Sequence, residues 1–184
     1  MGPSNEALLQ EFFDANPAYF MAVTGEPAGP DEARTEIADQ PPEGWSFTRK
    51  WLIGYVDEVD KLAAMASVIS DMLVVGVWHI GLFVVATNRH GSGEAQQLHQ
   101  SLQEWAVSHG ARWLRLGVVQ GNTRAERFWA SLGYAQTRTR EGIEMGERVN
   151  TIRVMVKPVA GGTVNEYLSL VQRDRPDTED VLKP

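Results

Sequence analysis

Asn88-Arg89-His90-Gly91-Ser92-Gly93 joins a strand pattern to a helix pattern. Upstream, residues 78–86 (WHIGLFVVA) are nearly all apolar and rich in β-branched side chains, which predicts a strand covered on both faces. Downstream, Ala95, Leu98, Leu102, Trp105 and Ala106 recur at three- and four-residue steps, so a helix turns one stripe toward a core. That helix stops at His109-Gly110, where glycine suits a left-handed cap. Two glycines at such a turn let backbone N–H groups approach an anion, and the helix dipole adds roughly half a positive charge. The junction suits a phosphate.

Working toward the N-terminus, residues 49–56 (RKWLIGYV) and 62–70 (LAAMASVIS) flank a polar turn and predict an antiparallel hairpin that the residue-78 strand extends. A helix capped by Asn5 runs to Ala15, stops at Asn16-Pro17 and gives way to a loop; a short second helix covers 31–39. Toward the C-terminus, residues 113–119 (WLRLGVV) alternate like a strand. Thr123 and Glu126 stand at capping-box spacing before the stripe Ala125, Phe128, Trp129 and Leu132. Residues 149–156 are a last strand, paired with one near 134–140. The order implies an α+β fold with helices on the sheet faces. Residues 1–158 read as one domain and 159–184 as a C-terminal extension of uncertain order.

Length and composition fit this. A chain of 184 residues supports a single core, and 43% hydrophobic with 22% charged residues is ordinary for a globular protein. With no cysteine, thiolate chemistry, disulfides and cysteine-ligated zinc are excluded. The absence of a long apolar run or basic leader implies a cytoplasmic protein with no membrane partner. A formal charge of −7 argues against a nucleic-acid partner. Competing phosphate motifs fail: a dinucleotide fingerprint from Gly91 needs glycine or alanine where Gln96 stands, and no GxxxxGK[ST] string occurs. No HExxH or similar cluster suggests a metal.

The string NRHGSG resembles the acetyl-CoA loop of the GNAT N-acetyltransferase superfamily, R/Q-x-x-G-x-G/A, matching at both glycines. Residues 117–134 (GVVQGNTRAERFWASLGY) resemble that family's second block in the right order and separation. The resemblance implies a mixed, mostly antiparallel central sheet and an acetyl-CoA site built from Phe83, Val84, Val85, Asn88, Arg89, His90, Gly91, Ser92, Gly93, Glu94, Ala95, Asn122, Ala125, Phe128 and Trp129. It also implies that the central strands splay, near Val85 and Val119, to admit the pantetheine arm. Three positions depart from the family. Asn88 replaces the usual arginine or glutamine, Glu94 brings a carboxylate to the phosphate end, and Trp129 stands where many members place the tyrosine that protonates the departing thiolate. Indole cannot do that work.

The implied reaction is direct attack of a primary amine on the acetyl thioester. An alkylamine near pKa 10 is about 0.1% neutral at pH 7, a cost of roughly 4 kcal/mol, so a base is expected. His79 on the central strand and Asp71 at a strand end are the candidates. Net negative charge and the acids near 57–60 and 141–147 point to a small cationic acceptor. The alternatives are an N-terminal or lysine protein acetyltransferase, a non-catalytic acyl-CoA-binding protein, and an interaction module. Trp45 and Trp51, read as exposed, suggest a homodimer face.

Overall fold

The computed structural model describes residues 1–176. The elements follow in the order α1 (Glu6–Ala15), α2 (Ala18–Val23), α3 (Glu32–Ala38), β1 (Arg49–Val56), β2 (Leu62–Ser70), β3 (Val77–Val85), α4 (Glu94–Ser108), β4 (Trp113–Val119), α5 (Thr123–Ser131), β5 (Ala135–Met145), β6 (Arg148–Pro158) and α6 (Val164–Leu170). Six strands form one sheet in the order β1-β2-β3-β4-β6-β5. Every neighbouring pair is antiparallel except β3 and β4, which run parallel because α4 carries the chain back between them. The hairpin of β1 and β2 and the bounds of β4 are those expected from the sequence.

The β3–β4 pairing decides what the fold can do. Only Val77, Trp78, His79 and Ile80 pair with Trp113, Leu114, Arg115 and Leu116; beyond them, residues 81–85 and 117–119 diverge. The cause lies on the other side of β3. Its partners jump from Leu82↔Ser67 to Ile80↔Val68, so Gly81 is an extra, bulged residue that bends the strand. Along both diverging edges, alternate N–H and C=O groups face a gap instead of a strand.

The two faces are covered differently. On one, α4 and α5 bury Trp78, Ile80, Leu114, Leu116, Val118 and Met155. On the other, α1 and its neighbours seat Leu9, Phe12, Phe13 and Phe20 against Met65, Leu82 and Val84 of β2 and β3. Leu9 and Phe13 have no exposed surface, and each such side chain contributes about 1.5–3 kcal/mol. The expected loop after Pro17 contains α2 instead: the proline that stops α1 sits at the N-cap of the next helix with φ −65, a backbone angle already helical.

The chain beyond Pro158, expected as an extension of uncertain order, continues the fold. Thr163 and Glu166 form a capping box that starts α6. Tyr167 and Val171 then pack with Val77, Trp113 and Val156 on the second face, and Asp174 is fully buried. The residues from 177 onward lie outside the described part. No helix among the described residues is long and apolar enough to cross a membrane.

Trp45 and Trp51 are each committed within the chain. Arg173 lies 4.0 Å over Trp45; Trp51 meets Trp105 edge-on at 5.2 Å with Arg49 4.1 Å above it.

Candidate active site

Gly91 and Gly93 both have φ +85, the left-handed region that side chains avoid. Gly93 is the N-cap of α4 and its carbonyl accepts from Gln96 and Gln97. The N–H groups of Gly91, Ser92, Gly93 and Ala95 have no acceptor among the described residues, while the neighbouring Glu94 N–H is satisfied by Ser92 Oγ. Four unused donors at a fifteen-residue helix's N-terminus make an anion cradle. Glu94 does not spoil it. Arg89 donates to Glu94 and to Asp57, at 2.8 Å each, which turns the Glu94 carboxylate onto a cation and ties the loop to the β1–β2 turn.

His90 Nε2 lies 2.8 Å from the Val85 carbonyl, which can only accept, so Nε2 carries the proton. Its Nδ1 is buried and has no partner among the described residues.

From the loop a cavity of about 890 Å³ runs through the β3–β4 gap to the opposite face. On the α5 side it is lined by His90, Gly91, Gly93, Ala95, Asn122, Arg124, Ala125, Arg127, Phe128 and Trp129, with Phe83, Val84 and Val85 along the strand. Of the residues expected to hold the cofactor, Asn88, Arg89, Ser92 and Glu94 are the ones that do not line it. Phe83 stacks on Phe128 at 6.2 Å, and Trp129 closes on both. Asn122 caps α5 by accepting from the Ala125 N–H at 3.2 Å; Glu126 accepts from Gly121 and pairs with Arg153.

Trp129 brings no ionisable group. The nearby Tyr134 hydroxyl is buried against His99 Nε2 at 2.9 Å, and neither residue lines the cavity. Burial pushes the Tyr134 hydroxyl up and the His99 imidazole down to about 4, so both stay neutral.

Beyond the gap the cavity opens into a chamber. Gly81 and Gly117 stand at its mouth, one on each diverging strand. Its walls are Tyr19, Ala22 and Val23 of α2, with Ile143, Met145, Ile152 and Val154 of the β5–β6 hairpin. The hairpin tip fastens to α2: Asn150 Nδ2 donates to the Val23 carbonyl at 2.8 Å and Glu147 N–H to the Thr24 carbonyl at 3.0 Å.

The charges in the chamber are arginines. Arg115 Nε donates to Asp174 at 2.7 Å, Tyr167 donates to the same carboxylate, and Arg140 and Arg173 approach it at 3.4 and 3.9 Å. Burial alone would raise the Asp174 carboxyl, but Arg115, Tyr167 and Arg140 outweigh it and hold it at about 2. Burial and then the Arg140 and Arg115 charges press Arg173 down to about 10.

His79 lines the chamber, yet its Nδ1 accepts from Arg115 at 3.2 Å. Since guanidinium only donates, the basic lone pair of His79 is occupied. Burial and the Arg115 charge also push the imidazole down to about 3. Asp71 is far from this chemistry. It sits with φ 53 in the β2–β3 turn, at the paired end of the strands, and accepts from Gly76 N–H at 2.7 Å and Thr48 Oγ1 at 2.8 Å.

The expectation of a cationic acceptor meets the same difficulty. Among the described residues no aspartate or glutamate lines the cavity; Asp57 is paired with Arg89, and Glu141, Glu144 and Glu147 are exposed on the hairpin. Among the described residues no group of three or more histidines and carboxylates could hold a metal ion.

Comparison with known proteins agrees with the fold. An acetyltransferase from Thermus thermophilus superimposes with TM-score 0.65 at 18% identity, covering 86% of this chain and 94% of its own. The ribosomal-protein-S18-alanine N-acetyltransferase from Escherichia coli gives 0.64 at 16%, covering 90% and 94%, and a GCN5-related N-acetyltransferase from Kribbella flavida gives 0.62 at 21%, covering 86% and 95%. No curated sequence matches the chain. The sequence pattern of the acetyltransferase (GNAT) family matches residues 6–134, from α1 through the glycine loop to the end of the α5 block, so the chain belongs to the GNAT acetyltransferase family.

Proposed function

We propose that the protein transfers an acetyl group from acetyl-CoA to the primary amine of a small molecule. The observation that carries this reading is the continuous cavity: it links the glycine-loop cradle to a walled chamber through the gap between β3 and β4. The loop N–H groups hold the pyrophosphate, Phe83 and Phe128 flank the pantetheine arm, and the thioester reaches the gap beside Gly81 and Gly117. The amine enters from the chamber. Its nitrogen bonds to the thioester carbon, the C–S bond breaks, and the proton shed by nitrogen ends on sulfur, leaving an acetamide and CoA. Unpaired N–H groups along the gap polarise the carbonyl as its oxygen gains charge.

Neither His79 nor Asp71 is free to serve as the base, so the chamber must favour a neutral amine by other means. Arg115, Arg140 and Arg173 outnumber the single carboxylate of Asp174, and one surplus positive charge about 6 Å away opposes an ammonium ion by roughly 3 kcal/mol at an effective dielectric of 20, most of the deprotonation cost. Water in the chamber then needs only to carry the proton. Locking thioester and amine in attack geometry adds several kcal/mol.

The test is calorimetric titration with CoA followed by an acetyl-transfer assay across a panel of amines. Micromolar binding with turnover on at least one amine supports the reading. Binding without turnover on any amine identifies a non-catalytic acyl-CoA-binding protein, and turnover only on peptides identifies a protein acetyltransferase.

A further inference from the structure

The positive charge that disfavours an ammonium ion in the chamber also selects among acceptors. Arg115 and Arg140 line it, Arg173 lies behind them, and no carboxylate among the described residues lines it. These arginines are poorly placed for the cofactor's phosphates. Arg115 is level with His79 on the sheet, six residues short of Val85 along β3, roughly 20 Å from the glycine loop at strand spacing. Arg124 and Arg127 on α5 already line the cofactor end. Beside Tyr19 and His79, the remaining walls named above are apolar: Ala22, Val23, Ile143, Met145, Ile152 and Val154.

We infer that the acceptor is an amino acid-like molecule, carrying a carboxylate and an apolar side chain beside its amine. The inference rests on the acetyl-transfer reading above. The carboxylate is drawn by the surplus positive charge where Arg115, Arg140 and Arg173 surround the single carboxylate of Asp174, and the side chain fills the apolar wall. Gly117 follows Arg115 by two residues, roughly 7 Å along β4, so only a few bonds separate the carboxylate from the amine at the gap. Polyamines and other multiply cationic amines are repelled by the same arginines, and specificity arises as much from that exclusion as from attraction.

The test has two arms. In the first, CoA release is followed with saturating acetyl-CoA for L-leucine, L-methionine and L-phenylalanine, their amides, 3-methylbutan-1-amine and spermidine. We expect kcat/KM for at least one free amino acid to exceed that of its amide and of the simple amines tenfold or more. Arg140→Gln should bring the acid-to-amide ratio close to one without changing the KM for acetyl-CoA, and Arg140→Lys should keep part of it. In the second arm, 4-methylpentanoate and 4-methylpentanamide are titrated into CoA-saturated protein; the acid should bind at least tenfold more tightly, and Arg140→Gln should equalise the two. That arm needs no turnover. Equal binding of acid and amide, or preferred acetylation of spermidine or the amides, overturns the inference while leaving acetyl transfer intact. Failure of CoA itself to bind removes both.

Discussion

Replacing Asp174 by asparagine tests whether the C-terminal turn is part of the domain and whether its carboxylate holds the chamber arginines. The change keeps the shape but removes the negative charge that faces Arg115 at 2.7 Å, Arg140 at 3.4 Å and Arg173 at 3.9 Å. Removing one partner of a buried ion pair costs about 3–5 kcal/mol. For a domain of this size that is a Tm loss of about 6–20 °C. Part of the loss depends on pH. The carboxyl moves from 3.8 to about 2 on folding, which stabilises the ionised native state by roughly 2 kcal/mol at neutral pH. Because the folded value is the lower one, this contribution is complete above about pH 5 and lost as pH falls through 4 toward 2. Asparagine cannot titrate. Urea unfolding followed by tryptophan fluorescence at pH 7 and at pH 3 should therefore show a wild-type advantage of several kcal/mol that shrinks by roughly 1 kcal/mol at the lower pH. A loss below about 1 kcal/mol at pH 7, or an advantage that grows on acidification, would mean that Asp174 does not hold the chamber arginines.

Three further outcomes follow from the geometry. Gly93→Ala forces a side chain into φ +85 at roughly 1–2 kcal/mol, so calorimetry should show CoA binding weakened about 5- to 30-fold with little change in acceptor KM. Gly146→Val brings a Cβ to 2.7 Å from Thr24 Cβ at φ +58, which pushes the hairpin tip off α2; the acceptor KM should rise at least tenfold while CoA affinity holds. His79→Gln should reduce kcat less than tenfold and leave its pH profile in place, since Nδ1 already accepts from Arg115; a drop of 100-fold or more with loss of the basic limb would reinstate His79 as the base.

The glycine loop, the strands around it and the α4 and α5 stripes were legible because short-range periodicity and glycine placement fix them. The splay was expected only through the family resemblance, and its cause was not visible: nothing local marks Gly81 as a bulged residue rather than part of an apolar strand. Pro17 was read as a stop, yet the same ring geometry starts α2, whose six residues are too few for periodicity to register. Thr163 and Glu166 carry the spacing of a capping box and could have revealed α6. Arg115 looked like the polar side of an alternating strand. Its partner Asp174 lies 59 residues away, a pairing that one sequence does not disclose. The same ignorance of partners made His79 look available and the surface acids near 57–60 and 141–147 look like an acceptor site.

In the proposed complex the diphosphate of CoA rests on the loop amides while its arm passes between β3 and β4. A crystal structure of the protein with bound acetyl-CoA tests it most directly. Phosphate oxygens should lie within hydrogen-bond distance of the Gly91, Ser92, Gly93 or Ala95 N–H groups, and the thioester between residues 81–85 and 117–119. A diphosphate bound elsewhere, or an arm running over the sheet edge with the gap left empty, would contradict it.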